Sequence, residues 1–166
     1  MRRFLVVVYI LTIVLVALSH ILLPEDVAIH FDGNGRADGW APRWLNTALF
    51  MGLNTVLFAV CFFGPKLSLA VPKDLINLPN KEYWLADENL PRTREMLAQL
   101  LYEFGIAILA FFGVVSALTM QANFSEPMQL DMRLFTAAVV VFLVYTLAWC
   151  VRMFIAFRLP ESGPIR

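Results

Sequence analysis

The sequence predicts an all-α integral membrane protein of four transmembrane helices, with both termini inside and a structured outer loop. Three observations predict it. Of the 166 residues, 60% are hydrophobic and only 16% charged. An ordinary soluble domain carries about 25% charged residues, so this chain lacks the polar surface to cover itself in water. Four apolar runs each reach the ~20 residues that a helix needs to cross a bilayer. Lys and Arg are shared unevenly between the connections, and that asymmetry sets orientation.

The first run, 4–23, follows Arg2 and Arg3. Ala17 and Ser19 could form a signal-peptide cleavage site, but the run exceeds the 7–15 residues of a typical signal core and reads as a retained span. The others are 45–64, 100–120 and 134–157. Each is free of internal proline, and Pro24, Pro65, Pro127 and Pro160 sit at the edges as helix stops. Ten cations fall on one side: Arg2, Arg3, Lys66, Lys73, Lys81, Arg92, Arg94, Arg152, Arg158 and Arg166. Arg36, Arg43 and Arg133 fall on the other. This puts the 65–99 loop and both termini in the cytoplasm, and 24–44 and 121–133 outside. Residues 1–166 read as a single membrane domain.

The composition also excludes classes. Thirteen Lys and Arg balance thirteen Asp and Glu, leaving no basic excess to recruit nucleic acid. Cys61 and Cys150 lie inside apolar runs, with neither a disulfide framework nor metal-type spacing. No cofactor is implied.

The outer loop carries the most specific local signal. Val27, Ile29 and Phe31 alternate with Ala28 and His30, which predicts a short extended piece. Gly33, Asn34 and Gly35 supply a turn, because these residues tolerate positive φ. His30, Phe31, Asp32, Asp38 and Trp40 are the ligand-binding candidates. Asp32, Asn34 and Asp38 around a glycine bend look like half of a calcium loop without its bidentate Glu. His20, His30, Asp32 and Asp38 are the metal-ligand candidates, a two-His set with a carboxylate. The competing reading is structural. Asp32 and Asp38 then make side-chain turns, His30 bonds a carbonyl, and Trp40 and Trp44 join the interfacial aromatic belt. The structural reading is favoured.

The 65–99 loop is long for an unstructured connection. Asn77, Pro79, Asn80, Lys81, Tyr83 and Trp84 are partner-docking candidates, and 89–101 reads as an amphipathic helix leading into the third span. The competing reading is an interfacial helix that only anchors the span.

Glu103 is the only acidic residue inside a span. Glu103, Ala107, Ala110, Gly113 and Ala117 share one helical face, which should turn towards neighbouring helices. A matching face on the fourth span, Ala138 to Arg152, leads to an expected Glu103–Arg152 pair, with Tyr102 or Tyr145 nearby. The alternative is that each snorkels to the headgroups. Thr47, Asn54 and Cys61 recur every seven residues, as do Thr12 and Ser19. They read as interhelical hydrogen-bonding groups worth about 1 kcal/mol each.

Two loop stretches resemble a known family. Leu23, Pro24, Val27, His30, Phe31, Gly35, Asp38 and Trp40 match the outer-loop signature of the SdpI-like bacterial immunity proteins, small multi-pass membrane proteins whose shared domain is otherwise of unknown function. Asn77, Leu78, Pro79, Asn80, Lys81, Tyr83 and Trp84 match a second stretch of that family. The resemblance implies a prokaryotic plasma-membrane protein whose outer loop engages a ligand or toxic peptide. Some members hold a repressor at the membrane, which implies docking by the cytoplasmic loop. The partners expected are the bilayer, a peptide outside, and a protein in the membrane or cytoplasm. The chain is read as non-enzymatic. The alternative is an accessory subunit of a larger membrane complex, and the minor alternative a metal-dependent enzyme or metal sensor.

Overall fold

The computed structural model describes residues 1–67, 72 and 75–160. Lys73 and Arg166 of the charge asymmetry lie outside the described residues. The elements run α1 (Arg2–Leu22), β1 (Asp26–Phe31), β2 (Ala37–Pro42), α2 (Arg43–Leu67), α3 (Lys81–Trp84), α4 (Leu90–Asn123) and α5 (Met132–Ala156). The chain is mostly helical. Among the described residues, α1, α2, α4 and α5 are long and apolar enough to cross a membrane, as in a multi-pass membrane protein. At 1.5 Å per residue, the 34 residues of α4 extend about 51 Å, well beyond a hydrocarbon core of ~30 Å. The amphipathic segment and the third apolar run are therefore one continuous rod.

Pro65 does not stop α2, which runs on to Leu67. A proline removes one i→i−4 hydrogen bond, and near the last turn few bonds remain to be lost. Pro91 stands at the start of α4, where its missing N–H has no helical partner to lose.

α4 is the central helix. It packs against α1, α2 and α5, and α1 also packs against α2. The buried positions of α4 include Gly105, Leu109 and Ser116, spaced by four and seven. α5 instead rests principally on α4, and none of its residues is buried. The arrangement is a three-helix core with a fourth helix laid on its side. Phe104 and Phe111 on α4 meet Phe142 and Trp149 on α5. Trp149 Nε1 donates to the Leu100 carbonyl at 3.0 Å.

The small-residue face turns towards its neighbours, but the closest approach lies off it: a Cβ added to Gly113 would stand 3.5 Å from Thr12 Oγ1, an ordinary contact. Ala107 and Ala110 line an apolar crevice of about 290 Å³ between α4 and α5, and Ala117 is exposed. The close approach is at Gly105, where an added Cβ would lie 2.7 Å from Cys61 Cβ and 2.8 Å from Leu5 Cδ1. Leu5, Cys61 and Leu109 form the core cluster at this crossing. Gly105→Ala should therefore destabilise the fold by about 1–3 kcal/mol, as overpacking does. Adding Cys61→Gly should restore part of that loss in thermal unfolding. An unchanged melting temperature in Gly105→Ala would show that the crossing has slack.

Several hydroxyl and amide groups in these helices bond within their own helix. Thr12 donates to the Val8 carbonyl, Ser19 to Val16 and Asn54 to Phe50. The preceding turn offers a carbonyl without any need for a partner helix, so the expected interhelical role does not hold for these three. Tyr9 and Thr55 do bond across α1 and α2 at 3.0 Å.

Candidate functional site

The helices hold a structured cap at one end. β1 and β2 form an antiparallel hairpin. The sequence pattern indicated β1 but not β2, since Ala-Asp-Gly-Trp-Ala-Pro has little strand character. The turn is built by Asp32. Its carboxylate accepts from the backbone N–H groups of Asn34 and Arg36, both at 2.8 Å. Its own N–H donates to the Arg36 carbonyl at 2.8 Å. Gly35 takes φ +80, and a Cβ there would lie 2.5 Å from the Leu130 carbonyl oxygen. This close approach lets the α4–α5 connection pack on the turn. Leu130 N–H donates to the Gly35 carbonyl at 2.8 Å, and Gln129 Nε2 donates to the Asn34 carbonyl at 3.2 Å.

Those backbone N–H groups stabilise the ionised form of Asp32 and hold its carboxyl below its ordinary value of 3.8. The sign follows from linkage. A depressed carboxylate contributes stability above its unfolded pKa and loses it as the pH falls through the folded one. Amide exchange at Asn34 and Arg36 should thus show constant protection above about pH 4 and falling protection below it. Asp32→Asn should remove that pH dependence. A parent whose protection is flat down to pH 2 would contradict this account.

A second hinge point joins the hairpin to α4. The buried Asn123 carboxamide accepts from Ala28 N–H at 2.8 Å and donates to the Ala28 carbonyl at 3.0 Å. It also donates to the Thr119 carbonyl at 2.9 Å. The side chain thus completes the outer edge of β1 as a neighbouring strand would.

The hairpin's free face carries His30, Asp38 and Trp40. Asp38 and Trp40 are two residues apart on β2 and both exposed. The register slips between Ala28 and His30, which turns Ile29 outward and sets His30 opposite Gly39. A Cβ on Gly39 would lie 2.9 Å from His30 Cβ, so glycine makes room for the imidazole. His30 Nδ1 lies 2.5 Å from Asp38 Oδ1, with side-chain exposures of 73% and 47%. A carboxylate only accepts, so Nδ1 donates, and Nε2 points away from the pair as a further polar atom. Phe31 is half-buried and packs against Leu118, Ala122 and Leu130.

The four metal-ligand candidates are not brought together. His20 Nδ1 meets Thr47 Oγ1 at 2.8 Å, and that hydroxyl donates to the Arg43 carbonyl. His20 therefore belongs to the α1–α2 contact. Asp32 is committed to its turn, and His30 and Asp38 remain a pair. Among the described residues, no three His, Cys, Asp or Glu side chains gather in a geometry suited to a metal ion.

At the opposite end, several docking candidates face inward. Asn80 Nδ2 and Trp84 Nε1 both donate to the Phe157 carbonyl at 2.9 Å, just beyond α5. Trp84 and Phe157 are almost fully buried. Pro79 is half-buried in the turn before Asn80, which takes φ 53. Asn77, Asn80, Lys81 and Tyr83 line an open groove of about 700 Å³ together with Leu75 and Leu159. These four keep a surface to offer, Asn80 while its side-chain amide also holds the Phe157 carbonyl.

The structure also brings Glu103 and Arg152 into an ion pair. The Glu103 side chain is 12% exposed and that of Arg152 56%. Tyr145 donates to the Glu103 backbone carbonyl at 3.3 Å, while Tyr102 lines a separate cavity. Sequence reasoning missed Asn123, Gly105 and Thr93. Asn123 closes an apolar run as a helix-ending residue does, but nothing local ties it to Ala28.

The segment that carries His20, His30, Asp38 and Trp40 matches a family model. No curated protein and no solved structure matches the chain. Residues 7–55, which cover most of α1, the whole hairpin and the first half of α2, match a domain of unknown function, DUF1648.

Proposed function

We propose that the chain is a multi-pass protein of a prokaryotic plasma membrane with both termini in the cytoplasm. In this reading the hairpin faces outward and recognises a ligand or toxic peptide, an immunity- or sensor-like role of the kind the SdpI-like resemblance implies. The observation that carries it is the exposed His30–Asp38 pair, with exposed Trp40 two residues along β2 from Asp38, held on a hairpin that is fixed to two helices and a loop. A large exposed aromatic on the same strand as a polar pair suits ligand capture, because an indole has few rotatable bonds to lose on binding. The ligand favoured is a cationic peptide. Around the hairpin and the α4–α5 connection, Glu25, Asp26, Asp32, Asp38, Glu126 and Asp131 outnumber Arg36, Arg43 and Arg133. An acidic surface of this kind steers cations. The accessory-subunit reading draws on one observation: α5 has no buried residue and so offers a full helix face to a partner in the membrane.

The test uses the full chain in phosphatidylcholine nanodiscs and a fluorescent Lys/Leu amphipathic peptide as probe. His30→Ala, Asp38→Ala and Trp40→Ala should each weaken binding about tenfold, the equivalent of ~1.4 kcal/mol. Equal binding by the parent and all three variants would sink the recognition role. In intact cells, Asn34→Cys should react with an impermeant thiol reagent and Glu82→Cys should not. The reverse labelling would overturn the orientation.

A further inference from the structure

We propose that the cavity between the end of α2 and the start of α4 binds the phosphate group of an anionic phospholipid. The cavity holds about 590 Å³ and is lined by Pro65, Lys66, Arg94, Glu95, Ala98 and Tyr102, among others. It lies at the α3 end of the bundle, remote from the hairpin. Lys66 sits in the last turn of α2 and Arg94 in the second turn of α4. Both are exposed. Among the described residues, neither has a carboxylate within ion-pair distance, although Glu95 shares the cavity.

A third cation stands at the same end on α1, outside the cavity lining. The Arg2 guanidinium lies 4.5 Å from the centre of the Phe62 ring, and Phe62 is one turn before Lys66 on α2. Phe62 and Tyr102 pack against the same core cluster. Three helices therefore bring Arg2, Lys66 and Arg94 to one end, over an aromatic base. This end is also where the apolar runs of α2 and α4 give way to polar residues, the depth of a lipid headgroup. Basic pockets between membrane helices at this depth take phosphate headgroups. A planar guanidinium and a compact ammonium can divide the phosphate oxygens between them. An acyl chain then continues along the apolar helix surface, which a free phosphate cannot do.

The experiment compares full-length protein in nanodiscs of phosphatidylcholine with and without phosphatidylglycerol. The parent should melt at least about 3 °C higher with phosphatidylglycerol, as ligand binding to the folded state requires. Lys66→Gln with Arg94→Gln should lose the rise. Arg158→Gln, which removes an exposed cation at the same end but outside the cavity, should keep it. A rise retained by the double variant would overturn the proposal, and so would a rise lost equally in Arg158→Gln, which marks diffuse attraction. An equal rise from inorganic phosphate in phosphatidylcholine discs would also overturn it, in favour of a soluble phosphate. If the double variant does not fold, phosphatidylglycerol retained per protein after detergent extraction of Lys66→Gln decides. Retention equal to the parent counts against the site. Both leaflets of a nanodisc carry the lipid, so the result stands apart from the peptide-binding and orientation tests.

Discussion

Trp84→Ala should cost about 3–5 kcal/mol, the range for removing a large aromatic from a packed core. Trp84 is 2% exposed and meets the ring of Phe157 edge-on, with centroids 5.5 Å apart. Its Nε1–H donates to the Phe157 carbonyl, its own carbonyl accepts from Thr93 Oγ1 at 2.6 Å, and Arg92 stacks over its ring at 5.6 Å. The loss therefore includes a cavity, a hydrogen bond and a cation–π contact. Its consequence reaches beyond α3. α5 is held along its length mainly by α4, and the Trp84–Phe157 junction ties down its far end. Hydrogen exchange should show residues near Phe157 losing protection before the α1–α2–α4 core does. Trp84→Phe keeps most of the packing, and Asn80 still supplies a donor to the Phe157 carbonyl. It should cost about 1–2 kcal/mol, close to one buried hydrogen bond. A cost below 1 kcal/mol for Trp84→Ala would show that α5 stands without this junction.

Asn123→Leu is the second large effect expected, at about 2–3 kcal/mol. The substitution keeps the branching and the number of heavy atoms but leaves Ala28 N–H and C=O buried without partners, and unsatisfied buried polar groups cost about 1–3 kcal/mol. Asn123→Asp should be worse. It keeps an acceptor for Ala28 N–H but sets a carboxylate against the Ala28 and Thr119 carbonyl oxygens that now receive hydrogen bonds. The readout is the exchange rate of the Ala28 amide together with overall unfolding. Both variants should free the hairpin while the helices persist, so peptide binding should fall more than the melting temperature does. A fast-exchanging Ala28 amide in the parent would mean that the carboxamide does not hold the strand.

The hairpin turn was readable because its causes are local. Asp32, Gly33, Asn34 and Gly35 lie within four residues, and a short polar side chain bonding nearby amides needs no distant partner. His30 and Asp38 were legible as residue types but not as a pair. Their meeting depends on the register slip at Ile29 and on the missing Cβ of Gly39. The docking candidates show the converse. Asn80 and Trp84 look like exposed motif residues in sequence, yet both are used by the Phe157 carbonyl more than seventy residues away.

The sequence by itself determined the four long apolar helices, because about 20 consecutive apolar residues admit few other structures. It also determined the Asp32 turn and the polar residue types of the hairpin. Only the tertiary structure decided which helices form the core and which one lies outside it. Hydropathy describes each helix alone and is nearly the same all round an apolar rod, so it does not choose faces. Close fit chooses them: Gly105 admits Cys61 and Leu5, whereas the alanine-rich face lies beside a crevice. Tertiary structure likewise decided that Asn123 completes β1 and that Trp84 anchors the end of α5. A buried carbonyl or N–H must find a partner, and the fold supplied it from a distant part of the chain.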